Sequence, residues 1–364
     1  MGSNLLNYCF GFLAALLLGY FFTYLMIYIS KKINILDRPN EERKIHKEPM
    51  PLLGGWGIYL SFLSVCLFFL IFFPSVLLNK GISILEIFGF LFAGLVLMIF
   101  GTIDDKYNLS AKIQFLVIIV VCLFVVLSGI SISLVTRPGG GVINLNLGLR
   151  QTIFGVDFYI IGSAITFLWL IFMTNVTKLL DGLDGLASGV TGIGMIILFI
   201  VSLFWDKANS ANSVFIIVFL GSILGFLILN FYPAKIFLGN GGSNLLGLYL
   251  GIFSIISGAK IATAFLVMGA PFIDMIWVII QRLKRGESPF RHADRKHLHF
   301  KLLNIGFSKS QAVLILYFIS FLFGSLSLFQ NTTGKIIIAS LLLVFMVFIF
   351  FYINKRQNNE NTFS

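Results

Sequence analysis

Charged residues are scarce in this chain of 364 residues, in which Asp, Glu, Lys and Arg together make up 11%. Soluble domains carry about 25% charged residues and about 45–50% apolar ones, whereas 58% of this chain is apolar. So few charges among so many apolar side chains exclude a soluble enzyme, a disordered chain and a nucleic-acid-binding module. The composition is typical of a protein whose solvent is lipid.

Cysteines and long polar segments are also nearly absent. The three cysteines, Cys9, Cys66 and Cys122, lie in apolar runs without a CxxC pair, which argues against a disulfide framework. The longest polar stretches cover about residues 31–53 and 282–309, and each is too short to fold around a core of its own. We therefore expect one membrane domain that spans residues 1–364.

Long apolar runs fill most of the chain, and about 20 apolar residues are enough for a helix to cross a bilayer. We predict an all-α polytopic membrane protein with about eleven transmembrane helices. They would cover residues 5–30, 55–74, 85–102, 113–135, 158–175, 188–204, 213–231, 244–258, 261–281, 310–328 and 335–353. After the fourth, Arg137-Pro-Gly-Gly-Gly breaks any helix and the next residues alternate with a period of two, which predicts a short extracytoplasmic β-hairpin within Val135–Asp157.

The basic residues divide unevenly between the two sets of alternate loops that eleven spans create. Twenty of the 26 Lys and Arg residues fall in one set and six in the other. Because cytoplasmic loops carry the excess of Lys and Arg, we predict that the N-terminus lies outside and the C-terminus in the cytoplasm. The net charge of +11 then reflects membrane topology, and no nucleic-acid partner is expected.

Carboxylates collect at two of the predicted cytoplasmic ends. Asp104 and Asp105 follow the third span, and adjacent carboxylates are costly unless a cation or a proton resolves them. This pair predicts a general base or a metal site, although a solvated helix end has the same pattern. In Asn175–Ala187, Asp181 and Asp184 share a helix face if the turn is helical. That arrangement suits metal, ribose or base contacts, and a plain glycine-rich turn is the alternative.

Two further segments on that side suit anionic groups. The run Phe237–Asn244 places glycines before a span, where a helix N-terminus offers free N–H groups to an anion, although such runs also serve packing. The loop 282–309 is rich in basic and histidine side chains, among them Arg291, His292, His297 and His299. They suit a pyrophosphate clamp, with a zinc site or a basic loop facing anionic lipid as alternatives. Asp274, inside a predicted span, is either functional or a partner that holds helices together.

These motifs, in this order, resemble those of the polyprenyl-phosphate N-acetylhexosamine-1-phosphate transferases, on the WecA/TagO branch. The resemblance runs from Asp37-Arg-Pro, His46 and Gly54-Gly55 to His299, so it covers almost the whole chain. The Asp-Asp pair, the NxxxxxDGxDGLA run, the FxGxxGS loop and the HADxxHxH loop carry it, and the last favours this branch over the MraY branch. It implies about ten or eleven helices, an outside N-terminus and a cytoplasmic active cleft.

The resemblance also implies a reaction. A UDP-N-acetylhexosamine, with GlcNAc favoured, gives its sugar-1-phosphate to undecaprenyl phosphate and releases UMP, which starts a cell-envelope glycan in the bacterial inner membrane. The partners are the UDP-sugar, the polyprenyl phosphate and membrane lipid, with a homodimer allowed. By position, the resemblance makes Asp104 and Asp105 catalytic; His46, Asn175, Asp181 and Asp184 nucleotide-sugar-binding; Lys178, Arg291, His292, His297 and His299 phosphate-binding; and Asn240 with Asp181 the ligands of Mg²⁺.

The sequence departs from the family where the family holds its Mg²⁺ ion. Lys178 stands where a second asparagine is usual and Asn240 where an aspartate is usual, while Gln114 replaces a common phosphate-binding lysine. Asn, Asp and Mg²⁺ together carry a net charge of +1, as do Lys178 and Asn240 without a metal, so Lys178 is a candidate to replace the ion. Alternatively, Lys178 faces water and Mg²⁺ binds through the carboxylates.

Two other classes of function stay open. A non-catalytic relative would bind a nucleotide or a lipid phosphate without turnover, and the departures at Lys178 and Asn240 keep this hypothesis open. A secondary transporter would place polar groups near the bilayer midplane. Asp274 is the one acid plainly inside a predicted span, so the sequence favours the transferase.

Overall fold

The computed structural model describes residues 2–39, 48–78, 82–146, 150–153, 156–205, 210–258, 260–287 and 297–362, which form fourteen α-helices and six short strands. The helices are α1 Gly2–Lys32, α2 Gly54–Phe72, α3 Pro74–Leu77, α4 Ile84–Tyr107, α5 Ala111–Leu127, α6 Ile160–Leu180, α7 Leu186–Trp205, α8 Ser210–Asn230, α9 Gly239–Ile256, α10 Ile261–Val267, α11 Gly269–Lys284, α12 Leu298–Asn304, α13 Lys309–Leu326 and α14 Thr332–Thr362. The strands are β1 Leu36–Asp37, β2 Met50–Pro51, β3 Leu134–Thr136, β4 Val142–Asn144, β5 Arg150–Ile153 and β6 Val156–Tyr159.

Within the described ranges, eight helices are long and apolar enough to cross a membrane, namely α1, α2, α4, α6, α7, α8, α13 and α14. The pair α10 and α11, bent by 69° where they meet, makes a ninth if it counts as one span. These helices confirm a mainly helical, multi-pass membrane protein. The count of eleven stays a prediction, because α5 has 17 residues and α9 opens with the polar and small residues Gly239–Asn244.

Several predicted spans differ from the helices that form, and three of them show why. The predicted span 113–135 ends early, because Ser128 closes α5 and Gly129 follows with a φ of +109°. The predicted span 158–175 ends late, since α6 continues through its polar last turn to Leu180. The predicted span 261–281 is broken into α10 and α11 at Met268. Hydropathy marks where a chain enters lipid, whereas helix ends depend on backbone geometry and on caps.

The hairpin prediction is confirmed, with two hairpins in place of one. β3 pairs antiparallel with β4, and β5 pairs antiparallel with β6. The first hairpin contacts the start of α14, since the hydroxyls of Thr136 and Thr332 lie 2.6 Å apart and Gly139 N donates to Thr333 Oγ1 at 3.1 Å. At the other end of the bundle, β1 pairs with β2.

Helix directions alternate along the chain. α1 and α8 run parallel, because a Cβ on Gly11 would meet Val218 and one on Gly19 would meet Ser222. The last turn of α4 meets the first turn of α9, so these two helices run antiparallel. The ends of α4, α6 and α8 therefore lie together with the starts of α5, α7 and α9. The loops that the charge pattern assigned to one side gather at one end of the bundle.

Helix backbones pack closely where α2, α4 and α9 cross through glycines. A Cβ on Gly101 would lie 2.1 Å from the Cα of Gly241, and one on Gly55 would lie 2.4 Å from the Cα of Gly242. Away from lipid, packing and hydrogen bonds hold membrane helices together, and glycine lets their backbones approach. Farther from the loops, the hydroxyl of Tyr249 in α9 donates to the carbonyl oxygen of Phe90 in α4 at 3.0 Å. These contacts hold the end of α4 and the starts of α2 and α9 close together.

We expect Gly101→Ala to destabilise the protein by about 1–3 kcal/mol, because the added methyl group overpacks the contact between α4 and α9. The matched control is Gly192→Ala in α7, where a Cβ would meet nothing nearer than Ile223 at 3.6 Å. Alanine also favours a helix over glycine by about 1 kcal/mol, so the control should be neutral or stabilising. Thermal unfolding in detergent micelles measures both variants, and equal losses would contradict the tight crossing.

Candidate functional site

A chain of hydrogen bonds joins Asp104, Gln114 and Lys178 at the end of α4, the start of α5 and the end of α6. Asp104 Oδ1 accepts from the Gln114 amide at 2.9 Å and from Leu109 N at 2.8 Å. Lys178 Nζ donates to Gln114 Oε1 at 2.7 Å. Lys178 is half-buried, and this hydrogen bond holds its ammonium group beside Gln114. Asp104 is 4% exposed, so the alternative of a solvated helix end fails for it.

Asp105 docks against the first turn of α9. Its carboxylate accepts from Asn240 N at 3.1 and 3.2 Å and from the Asn240 side-chain amide at 2.8 Å. A helix N-terminus attracts an anion, and here that anion is a side chain of α4. Gly239 allows the contact, because its φ is +75° and a Cβ there would lie 2.6 Å from Asp105 Oδ2. The glycine run therefore serves internal docking at this point.

The segment 181–185 between α6 and α7 is a turn, so the helix face predicted for Asp181 and Asp184 does not form. Gly185 prevents a continuous helix, since its φ is +77°. Asp184 Oδ2 instead accepts from Ala234 N at 3.2 Å, which ties the turn to the loop before α9. The turn therefore directs Asp184 to the loop before α9.

Asn230, the last residue of α8, holds this turn in place, and sequence reasoning missed it. Its Oδ1 accepts from Gly185 N at 3.1 Å and from Ser188 Oγ at 3.1 Å, while its amide donates to Ile236 O at 2.9 Å. Asn230 is 5% exposed, so all three bonds are buried. An amide that ends a long apolar helix was the available signal, because buried amides require partners.

The surroundings of Asp181 change the pKa of its carboxyl group. Its side chain is accessible to solvent. The surrounding protein nevertheless raises the pKa of its carboxyl to about 7, an effect that Lys178 opposes and Asp184 reinforces. Lys178 also interacts electrostatically with Asp104 and Asp105. One ammonium group therefore faces three carboxylates across the ends of α4 and α6.

Asp274 of α11 positions the start of α12. Its Oδ2 lies 2.9 Å from His297 Nδ1, and its Oδ1 accepts from Leu298 N at 2.9 Å. A carboxylate that accepts from the first turn caps a helix. Of the two alternatives for this intramembrane acid, the structure favours the one in which it holds neighbouring elements together.

His299 packs against the turn after α6. It is 3% exposed, and a Cβ on Gly182 would lie 2.3 Å from its Nε2. Its ring lies parallel to that of His297, with centroids 5.9 Å apart. Burial, with a contribution from His297, lowers the pKa of His299 to about 3, so the ring is neutral near pH 7. Its Nε2 is buried and has no hydrogen-bond partner among the described residues.

The predicted site residues fall into three groups. His46, Arg291 and His292 lie outside the described residues. Asn175 lies on α6 and donates to Ile171 O of its own helix at 2.8 Å. The others gather at one end of the bundle, namely Asp104, Asp105, Lys178, Asp181, Asp184, Asn240, His297 and His299. The roles assigned to all of these residues stay predictions.

The residues present do not fit Mg²⁺. In the part of the chain that the structure describes, no three His, Cys, Asp or Glu side chains group closely enough to hold a metal ion. Asn240, a predicted ligand, donates its amide to Asp105. An ammonium group already faces the three carboxylates, and it would repel a divalent cation.

The arrangement defines a class of protein. Acidic, basic and amide side chains from distant segments meet at one end of a multi-pass helical bundle, where a soluble charged substrate and a membrane lipid can both arrive. This is what an enzyme acting on lipid at the membrane surface requires, and it differs from the midplane site of a secondary transporter.

Comparison with known proteins gives the family. Residues 87–258 match the model of glycosyl transferase family 4. A probable undecaprenyl-phosphate N-acetylglucosaminyl 1-phosphate transferase of Bacillus subtilis is 29% identical, covering 97% of this chain and 92% of the relative. A decaprenyl-phosphate N-acetylglucosaminephosphotransferase of Mycobacterium leprae is 30% identical, covering 95% and 90%. An undecaprenyl-phosphate alpha-N-acetylglucosaminyl 1-phosphate transferase of Escherichia coli K12 is 25% identical, covering 96% and 91%. The chain belongs to glycosyl transferase family 4, as its motifs indicated.

The low pKa of His299 predicts a pH-dependent stability. An unfolded histidine has a pKa of about 6.5, against about 3 in the folded chain. Between these values the unfolded state binds more protons, so the free energy of unfolding decreases as the pH falls from about 6.5. His299→Gln does not titrate and should lose less stability between pH 7 and pH 5. Melting temperatures in micelles at both pH values test this. An equal decrease in melting temperature from pH 7 to pH 5 in the wild type and in His299→Gln would rule it out.

Proposed function

We propose that this protein transfers N-acetylhexosamine-1-phosphate, with GlcNAc-1-phosphate favoured, from a UDP-sugar to undecaprenyl phosphate and releases UMP. An oxygen of the lipid phosphate attacks the sugar-bearing phosphorus of the UDP-sugar. The bond from that phosphorus to the bridging oxygen breaks, and UMP leaves with this oxygen. Phosphoryl transfer depends on positioning and charge neutralisation more than on covalent catalysis.

The proposed role of each residue follows from the chemical group that its side chain presents to the substrates. Asp104 or Asp105 orients or deprotonates the lipid phosphate, and Asp104 Oδ2 has no hydrogen-bond partner among the described residues. Lys178 gives one N–H to Gln114 and keeps two for phosphate oxygens. The nucleotide sugar lies along the exposed Asp181 and the turn that follows it. His299 packs against this turn and supports it as a neutral group.

One observation carries the proposal. Asp104 and Asp105 at the end of α4 and Lys178 at the end of α6 are far apart in sequence, and they interact at one end of the bundle. In a family of glycosyl transferases, such a one-ended site supports transfer between a water-soluble donor and a lipid acceptor. We place this end in the cytoplasm, with the N-terminus outside, in the inner membrane of a bacterium. The product would start a cell-envelope glycan.

A transfer assay tests the reaction directly. Purified protein in micelles receives radiolabelled UDP-GlcNAc and undecaprenyl phosphate. The proposal expects radiolabel in the lipid phase and an equal amount of UMP. A non-catalytic relative would bind UDP-GlcNAc without either product. A transporter would carry radiolabel into sealed vesicles that contain the protein but no acceptor lipid.

We expect Asp105→Asn and Asp104→Asn each to lower turnover roughly 10²-fold or more, because each removes a charge that orients or deprotonates the acceptor. Both carboxylates also accept hydrogen bonds, so the unfolding temperature is measured beside the rate. Glu48→Gln is the matched control, since it removes an exposed carboxylate at the same end of the bundle. Folded variants that keep wild-type turnover would refute the roles.

Labelling tests the orientation. We expect a membrane-impermeant maleimide to label Val142→Cys in intact cells, since Val142 lies exposed on the first hairpin. It should label Arg285→Cys only after permeabilisation, because Arg285 is exposed at the opposite end, after α11. The unaltered chain is the control, as its cysteines lie within helices. The reverse pattern would overturn the orientation.

A further inference from the structure

Three carboxylates of the site face one ammonium group. Gln114 links Lys178 to Asp104 by hydrogen bonds of 2.7 and 2.9 Å. Lys178 also interacts electrostatically with Asp105 and Asp181. These acids come from α4 and from the turn after α6, so no single segment brings them together. Ionised carboxylates in such a setting are stabilised by a positive partner, because the surrounding protein solvates charge poorly.

The acceptor atoms that a metal ion would need are partly engaged by the protein. Asp105 accepts from two donors of Asn240. They are the backbone N–H, which is shared between both carboxylate oxygens, and the side-chain amide. Asp104 Oδ1 accepts from Gln114 and from Leu109 N. Mg²⁺ takes six oxygen ligands at about 2.0–2.1 Å, usually one or two carboxylates together with waters and substrate phosphates. The donors that hold Asp104 and Asp105 here are amides, and these fix the carboxylates without a metal.

We infer that the Lys178 ammonium is the resident counter-cation of this site, in the place that a divalent ion would take, so that the chain binds a nucleoside-diphosphate sugar without a metal. The inference rests on the proposed function for the identity of that ligand. The other part of the inference, in which Lys178 takes the place of a divalent cation, does not rest on the proposed function. Lysine binds phosphate as a point charge, and a single ammonium offers three donors.

Gln114 is the change that makes Lys178 possible. A lysine at position 114 would place a second ammonium within hydrogen-bonding distance of Lys178 Nζ, now 2.7 Å from Gln114 Oε1. Two cations at that distance repel. Glutamine instead accepts from Lys178 with its oxygen and donates to Asp104 with its nitrogen. The departures at positions 114 and 178 are therefore in contact and compensate each other.

Mn²⁺, which replaces Mg²⁺ and is detected by EPR, tests the inference on the purified full-length protein without any nucleotide. We expect the wild-type protein to leave the signal of free Mn²⁺ unchanged at equal concentrations. The double variant Lys178→Asn with Asn240→Asp should bind Mn²⁺ at least tenfold more tightly. Stoichiometric depletion of the free signal by the wild type, abolished in Asp105→Asn, would overturn the inference. This measurement requires neither turnover nor the proposed substrates.

Binding of UDP-GlcNAc, measured by calorimetry in micelles, provides the second readout. The wild-type Kd should agree within twofold in Mg²⁺ and in EDTA. Lys178→Asn should raise the Kd at least tenfold in EDTA, and the double variant should recover binding only when Mg²⁺ is present. A wild-type Kd that rises tenfold in EDTA would contradict the inference.

The matched control is Lys112→Asn. Lys112 is exposed at the start of α5, two residues before Gln114, so its loss removes the same charge from the same end of the bundle. The Kd of the Lys112→Asn variant for UDP-GlcNAc should stay within twofold of the wild-type value. An equal loss in this variant would mean that Lys178 acts through general attraction of anions, and the inference would fail. If UDP-GlcNAc binds to no variant, the proposed function fails and the Mn²⁺ experiment still decides the role of Lys178.

Discussion

The carboxylate of Asp105 lies against the N-terminus of α9, and the geometry of the site depends on this contact. Consecutive residues of a helix point about 100° apart, and the adjacent acids at the end of α4 accept their hydrogen bonds from different helices. Asp105 turns to α9 and Asp104 to α5. Each acid thereby obtains its own hydrogen-bond donors. The glycine crossings keep the helix ends close enough for this division.

The architecture could be predicted because the bilayer imposes it. A spanning helix needs a long apolar run, and successive spans must alternate in direction. Alternation alone predicts that the loops after α4, α6 and α8 share one end, and the structure brings them into contact there. The hairpins between α5 and α6 were predictable because Arg137-Pro-Gly-Gly-Gly prevents a helix locally. None of these inferences required knowledge of packing between distant segments.

The partners of individual polar side chains could not be predicted in the same way. Asp274 pairs with His297 across 23 positions, and Asn230 holds a turn 45 positions away. Both contacts depend on how the helices pack, which a hydropathy pattern does not specify. The same holds for His299, because a histidine in a basic loop suggests a cation, whereas burial against Gly182 makes it neutral. Motifs identified the residues, and tertiary structure determined their protonation and partners.

An ammonium and a divalent ion would organise this site differently. A metal ion imposes a fixed arrangement on its ligands, so the ion itself aligns the carboxylates and the phosphate. Lysine has no such directional demand, and the alignment must come from elsewhere. Here it comes from hydrogen bonds, since Gln114 connects Lys178 to Asp104 and Asn240 fixes Asp105. A site built in this way is ordered by its amides and neutralised by its lysine, which separates two functions that one metal ion would combine.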